Sequence, residues 1–62
     1  MEFSNQVRLV REKLNLSQED LARELNVSYA TVSRWEHGKA KPIKLARDVF
    51  VSFCKKNGIV FD

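Results

Sequence analysis

The chain has 62 residues, of which 44% are hydrophobic, and its 11 Lys and Arg against 8 Asp and Glu give a formal net charge of +3. This length allows one domain, over residues 1–62, with a small core and no deep catalytic pocket. With one Cys, one His and no Gly-rich phosphate loop, the composition predicts no enzyme, no metal site, no cofactor and no small-molecule substrate.

An apolar stripe predicts the first helix. Its members recur at the three- and four-residue steps of one helix face, and they are Phe3, Val7, Val10 and Leu14. Ser4 or Asn5 is the predicted N-cap, because short polar side chains accept hydrogen bonds from the first turn. We expect this helix to end near residue 13 or 14.

The stretch NLSQED, residues 15–20, predicts the start of a second helix. Ser17 is the predicted N-cap, and Asp20, three residues later, completes a variant of the capping box. The helix is expected to run to about residue 25 and to bury its apolar side chains, which are Leu21, Ala22 and Leu25.

A short turn separates the second helix from the third. Asn26 follows the last apolar residue of helix two, and Asn tolerates the left-handed conformation that ends many helices. Ser28 is the predicted N-cap of a third helix, which runs from Tyr29 to about Glu36. The His-Gly pair that follows ends this helix at Gly38. A turn this short favours a sharp angle between the two helices, as in a helix-turn-helix.

The fourth helix is predicted to begin with Pro42 in its first turn and to reach about Lys56, over residues 43–56. Asn57 and Gly58 end it, and the apolar tail IVFD follows. The predicted fold is therefore an all-α bundle of four short helices. The sequence does not decide whether the tail forms a fifth helix.

The third helix combines a buried face and an exposed one. At about 100° per residue, Val32 and Trp35 point inward. The outward arc of roughly 140° carries Tyr29, Ala30, Ser33, Arg34 and His37. A face selected for solubility alone would use Glu and Lys, which also favour helix. Small residues near the helix start and a planar donor one turn later instead suit insertion into a groove.

The segment LSQEDLARELNVSYATVSRWEHGKAKP, residues 16–42, resembles the helix-turn-helix of the phage repressor and Cro family, also called the xenobiotic-response-element family. Gln18 opens helix two, Ala22 lies where the helices nearly touch, and Asn26 stands at the turn where the family usually has Gly. Val32 and Trp35 match the inner residues of the recognition helix. The resemblance implies a lambda-repressor-like fold with the helix-turn-helix at residues 18–37.

The same resemblance implies sequence-specific binding of double-stranded DNA by a bacterial or phage transcription regulator, repressor-like, with the third helix in the major groove. The base-reading positions carried over are Tyr29, Ala30, Ser33 and Arg34. The expected phosphate contacts are Gln18, Ser28, Thr31, Lys39, Lys41 and Lys44. It also implies a structural ion pair between Arg11 and Glu36.

An alternative function is a protein-interaction module of antitoxin type. The fourth helix has an apolar arc of roughly 180°, too wide for so small a domain to cover easily. The tail either folds back over this helix or joins it at the two-fold axis of a homodimer, and we expect the homodimer. The residues assigned to dimer or tail packing are Phe50, Phe53, Ile59 and Phe61.

The expected compartment is the cytoplasm, and no membrane partner is expected. No run of about 18 apolar residues is present, and the N-terminal MEFSNQ lacks the features of a signal peptide. Cys54 has no second Cys for an internal disulfide, which fits a reducing environment.

Overall fold

Four α-helices are present in the computed structural model, which describes residues 1–61. They are α1 (Phe3–Leu14), α2 (Gln18–Leu25), α3 (Tyr29–Glu36) and α4 (Lys44–Lys56). The described part of the chain contains no β-strand. The all-α prediction is therefore confirmed. Residues 59–61 form a non-helical tail, so the described residues contain no fifth helix.

The core lies where α3 packs on α1 and α2, while α4 packs on α2. All four helices and the tail contribute to it, through Val7, Val10, Leu21, Ala22, Leu25, Val32, Trp35, Phe50, Cys54 and Ile59. The predicted inner residues of α2 and α3 are thus buried. Val27, in the turn, is only half-buried.

The beginning of α1 was predicted wrongly. The helix starts at Phe3, with Glu2 as an N-cap that makes no side-chain hydrogen bond, so neither Ser4 nor Asn5 caps it. The reason is tertiary packing: the Phe3 ring lies edge-on to Trp35 and to Phe50, with centroid distances of 5.3 and 5.1 Å. These contacts, rather than a polar cap, stabilise the first turn.

The helices α1 and α2 end in the same way. Asn15 and Asn26 adopt left-handed backbone conformations, with φ of 56° and 58°. Each backbone N–H bonds back to the carbonyls of the helix that has just ended. The role of Asn26 was predicted, whereas that of Asn15 was not. At the start of α2, Ser17 and Asp20 form the predicted capping box.

The start of α4 also differs from the prediction. Pro42 precedes the helix, Ile43 is an extended N-cap without a side-chain hydrogen bond, and the helix begins at Lys44. Pro fixes φ near −65°, a value that suits extended backbone as well as the first turn of a helix. Its presence therefore does not determine where the helix begins.

The tail packs on α4 of the same chain. Ile59 is buried in the core and its N–H donates to the Cys54 carbonyl at 2.8 Å. The half-buried Phe61 ring stacks on Phe50 with a centroid distance of 6.4 Å. Phe50 and Ile59 are therefore core residues, not members of an exposed dimer surface. The exposed apolar residues of α4 are instead Leu45, Val49 and Val51.

Candidate nucleic-acid interface

The two faces of α3 differ as the periodicity predicts. Val32 and Trp35 are 0% and 3% exposed, whereas Tyr29 is 54% exposed. Ala30 and Arg34 are also exposed, and Ser33 is half-buried. The structure thus places the predicted base-reading residues on one outward surface, which we call the α3 face (Tyr29, Ala30, Ser33, Arg34).

Hydroxyl groups organise the start of α3. The Ser28 Oγ accepts a hydrogen bond from the Thr31 backbone N–H at 3.1 Å, and it lies 2.8 Å from the Thr31 hydroxyl. Ser28 is therefore the N-cap of this helix. The remaining N–H groups of the first turn, together with the positive end of the helix dipole, favour an anion at this position.

His37 closes the other end of the α3 face. It is the C-cap of α3, and its exposed ring holds Nδ1 2.7 Å from the Ser33 carbonyl oxygen. Because a carbonyl oxygen only accepts, this ring nitrogen donates the hydrogen bond. His37 thus fixes the last turn of α3, and Gly38 continues the chain with φ of 70°.

A polar cluster fixes α3 against α1 and α2. The Arg11 guanidinium donates to both carboxylate oxygens of the buried Glu36, with a distance of 2.9 Å from Nη2 to Oε1. The Gln18 amide donates to the same Oε1 at 3.1 Å. Arg11 also donates to the Leu16 carbonyl at 3.1 Å, which ties the α1–α2 turn to the cluster. The ion pair that the resemblance implies is therefore present.

Burial of Glu36 disfavours its charged form, but the hydrogen bonds from Arg11 and Gln18 and the charges of Arg11 and Arg8 outweigh this effect. The net result is a Glu36 pKa below its ordinary value. The hydrogen bond to Glu36 likewise raises the pKa of Arg11. Both groups are thus held in their charged forms, and the pair is permanent at neutral pH.

Sequence reasoning missed two features of this cluster. The first is Arg8, whose Nη2 donates to the backbone carbonyl of Glu36 at 2.6 Å. Its position three residues before Arg11, on the same side of α1, is a signal that could have found it. The second is the Gln18 amide, which was assigned to phosphate alone and which also bonds to Glu36.

The predicted cationic residues after α3 divide into two groups. Lys39 and Lys41 are exposed in the loop. Lys41 lines a groove of about 320 Å³ together with Arg34, Thr31 and Ile43, so the structure brings the loop beside the α3 face. Lys44 is separate, because it forms an exposed ion pair with Asp48 at 3.2 Å.

The family model described as Helix-turn-helix matches residues 7–42, the segment that contains α1, the polar cluster and the α3 face. The chain belongs to this family, the helix-turn-helix proteins of the Cro and C1 type. The helix-turn-helix itself consists of α2, the turn at Asn26 and α3.

This helix-turn-helix chain is similar to the HTH-type transcriptional activator BcrR of Enterococcus faecalis, with 45% identity over 42 residues. The match covers 68% of this chain and 21% of BcrR, so the chain spans about a fifth of the length of that relative. No solved structure matches. Among residues 1–61, no helix is both long and apolar enough to cross a membrane.

Proposed function

We propose that this chain binds double-stranded DNA sequence-specifically, through α3 in the major groove, as the DNA-binding part of a transcription regulator. Membership in the helix-turn-helix family and the name of BcrR support this proposal. The observation that carries it is the α3 face, which points outward, contains no Glu or Lys, and lies opposite the buried Val32 and Trp35. A protein that binds bacterial or phage DNA acts in the cytoplasm, and we propose this location for the chain.

Arg34 is the principal base-reading residue in this proposal. Its exposed guanidinium presents two parallel N–H donors, the geometry that pairs with O6 and N7 of guanine. Tyr29 and Ala30 lie toward the start of the helix, where family members approach base edges. Ala30 offers a methyl group to thymine, and the Tyr29 hydroxyl offers a hydrogen bond to a base or a phosphate.

Phosphate contacts flank the α3 face on both sides. Gln18 retains the second N–H of its amide when the first is donated to Glu36, so one donor remains for a phosphate. Ser28 and Thr31 stand at the positive end of α3. On the other side, Lys39 and Lys41 are exposed in the loop. Lys44 becomes available when it leaves Asp48, since an exposed i,i+4 pair contributes only about 0.3–0.5 kcal/mol.

Selection of bound sites from random duplexes tests the proposal. The parent should recover a preferred site, and its affinity should fall steeply with salt because phosphate contacts release counterions. Arg34→Ala should lose about 1–3 kcal/mol of discrimination at one base pair. Arg47→Ala is the matched control, because Arg47 is exposed and lines a different groove with Gln6 and Phe61. An Arg34→Ala variant with undiminished preference would show that Arg34 reads no base.

A homodimer is the second part of the proposal. Leu45 is 72% exposed and Val49 is 39% exposed, and they lie one turn apart on α4 beside the half-buried Phe53. An isologous contact between two such stripes would bury them. In helix-turn-helix dimers the two recognition helices read half-sites about 34 Å apart.

Sedimentation of the parent against Leu45→Glu tests the dimer, with Val51→Glu as the control, because Val51 is 40% exposed on another side of α4. The parent and the control should sediment as dimers and Leu45→Glu as a monomer. A parent that is monomeric at high concentration contradicts the dimer. A palindromic site from the selection supports it, since a two-fold dimer reads two inverted half-sites.

A further inference from the structure

Arg8 makes a contact that the implied ion pair does not include. Its Nη2 donates to the backbone carbonyl oxygen of Glu36 at 2.6 Å, and Glu36 is the last residue of α3. The final carbonyl groups of a helix have no acceptor role within the helix itself. A cation is also stabilised at this negative end of the helix dipole. Arg8 therefore caps the C-terminus of α3 from α1.

Glu36 is consequently held both by its side-chain carboxylate and by its backbone carbonyl. Arg11 and Gln18 hold its carboxylate, which stands at the end of a flexible side chain. Arg8 holds its backbone carbonyl, which moves only when the helix itself moves. The carboxylate contacts determine where the end of α3 lies, while the carbonyl contact also resists rotation of α3 about its own axis.

We propose that Arg8 is a positioning residue for DNA reading, which fixes the rotation of α3 and hence the direction of Arg34. This inference rests on the proposed function. Arg34 lies in the same last turn as Glu36, so a rotation of this turn displaces its side chain sideways. A bidentate contact to a base edge depends on direction, whereas flexible lysines follow a phosphate that shifts. Arg8 should therefore affect sequence preference more than total affinity.

Two substitutions of Arg8 distinguish a positioning role from a phosphate contact and from a purely stabilising role. Arg8→Met keeps the aliphatic stem but removes the donor and the charge, and Arg8→Lys keeps a charged donor on a similar stem. The dissociation constants are measured for the site selected by the parent and for a random duplex of equal length, over a range of salt concentrations. Urea unfolding is measured on the same variants, with Lys13→Met, an exposed charge removal on α1, as the control.

Arg8→Met should lower the ratio of specific to random affinity about five- to tenfold, which is part of the discrimination of one bidentate contact. Its random-duplex affinity and salt slope should match the parent. Arg8→Lys should recover most of the ratio, and Lys13→Met should leave it unchanged.

Two results would overturn the inference. Equal losses on both duplexes, with a salt slope lowered by about 1, would make Arg8 a phosphate contact. A lower free energy of unfolding with an unchanged affinity ratio would make it a stabilising residue only. A parent that selects no preferred site contradicts the proposed function itself, and the inference then falls with it.

Discussion

Arg11 on α1 and Glu36 at the end of α3 are 25 positions apart in the chain and form a bidentate ion pair. The Glu36 side chain is 5% exposed and that of Arg11 is 24% exposed. The pair therefore lies at the edge of the core, where water screens it less than it screens a surface pair. It joins the first helix to the helix proposed to read DNA, without occupying any residue of the α3 face.

Removal of one partner should destabilise the protein. Arg11→Met leaves the buried Glu36 carboxylate with the Gln18 amide and the charge of Arg8, and we expect the free energy of unfolding to fall by about 2–3 kcal/mol. The double variant Arg11→Met/Glu36→Leu should recover part of this loss, because no charge remains buried. Urea unfolding provides the measurement. Lys44→Ala, which breaks an exposed ion pair, should change stability by less than about 0.5 kcal/mol.

Acid should destabilise the fold through Glu36. Its pKa in the folded chain lies below the ordinary value of 4.5, so folding favours the charged form. The resulting stability is fully present above pH 4.5 and is lost as the pH falls through the folded pKa. Asp20 acts with the same sign, because Ser17, chiefly through the hydrogen bond from its backbone N–H to the carboxylate, lowers the Asp20 pKa.

Thermal unfolding should therefore have a constant midpoint from neutral pH to about pH 5 and a falling midpoint below it. Glu36→Gln should begin from a lower midpoint and show a shallower acid slope. An acid slope equal to that of the parent would mean that other carboxylates cause the transition.

Asn26 should be replaceable by Gly but not by Ala. Its φ of 58° is free of steric cost for Gly and costs about 1 kcal/mol for a residue with an ordinary Cβ. Asn26→Gly should leave the free energy of unfolding within about 0.5 kcal/mol of the parent, and Asn26→Ala should lower it by about 1 kcal/mol. Asn5→Ala is the matched control, since Asn5 is exposed within α1 and Ala favours helix there. Opposite signs at the two positions would verify the role of the left-handed turn.

Ile59 should stabilise the fold while its neighbour does not. Ile59 is 7% exposed and Val60 is 81% exposed. Ile59→Ala should lower the free energy of unfolding by about 2 kcal/mol, because it opens a cavity between the tail and α4. Val60→Ala should have no measurable effect. Equal effects of the two substitutions in chemical denaturation would contradict the packing of the tail.

The helical pattern was predictable where the information is local. The cap at Ser17, the turn at Asn26 and the inward pair Val32 and Trp35 all follow from spacing and side-chain chemistry, and the structure has them where expected. The start of α1 was not predictable in this way. It depends on Phe3 contacting Trp35 and Phe50, and these contacts join residues that are distant in sequence.

In the candidate site, too, local features were predictable and contacts between distant residues were not. Exposure of Tyr29, Ala30 and Arg34 follows from the helical period alone, and the structure agrees. The capping contact from Arg8 depends on the packing angle of α1 against α3, which no local pattern encodes. The tail also required the structure, because its apolar residues fit either a neighbouring protomer or the α4 on which they pack.

The Phe50 ring contacts both Phe3 and Phe61, at centroid distances of 5.1 and 6.4 Å. The first turn of α1 and the tail therefore pack on the same ring, on the side where Gln6 and Arg47 line a groove with Phe61. Shortening of the Phe50 side chain would consequently loosen both stretches at once, although they are far apart in the sequence.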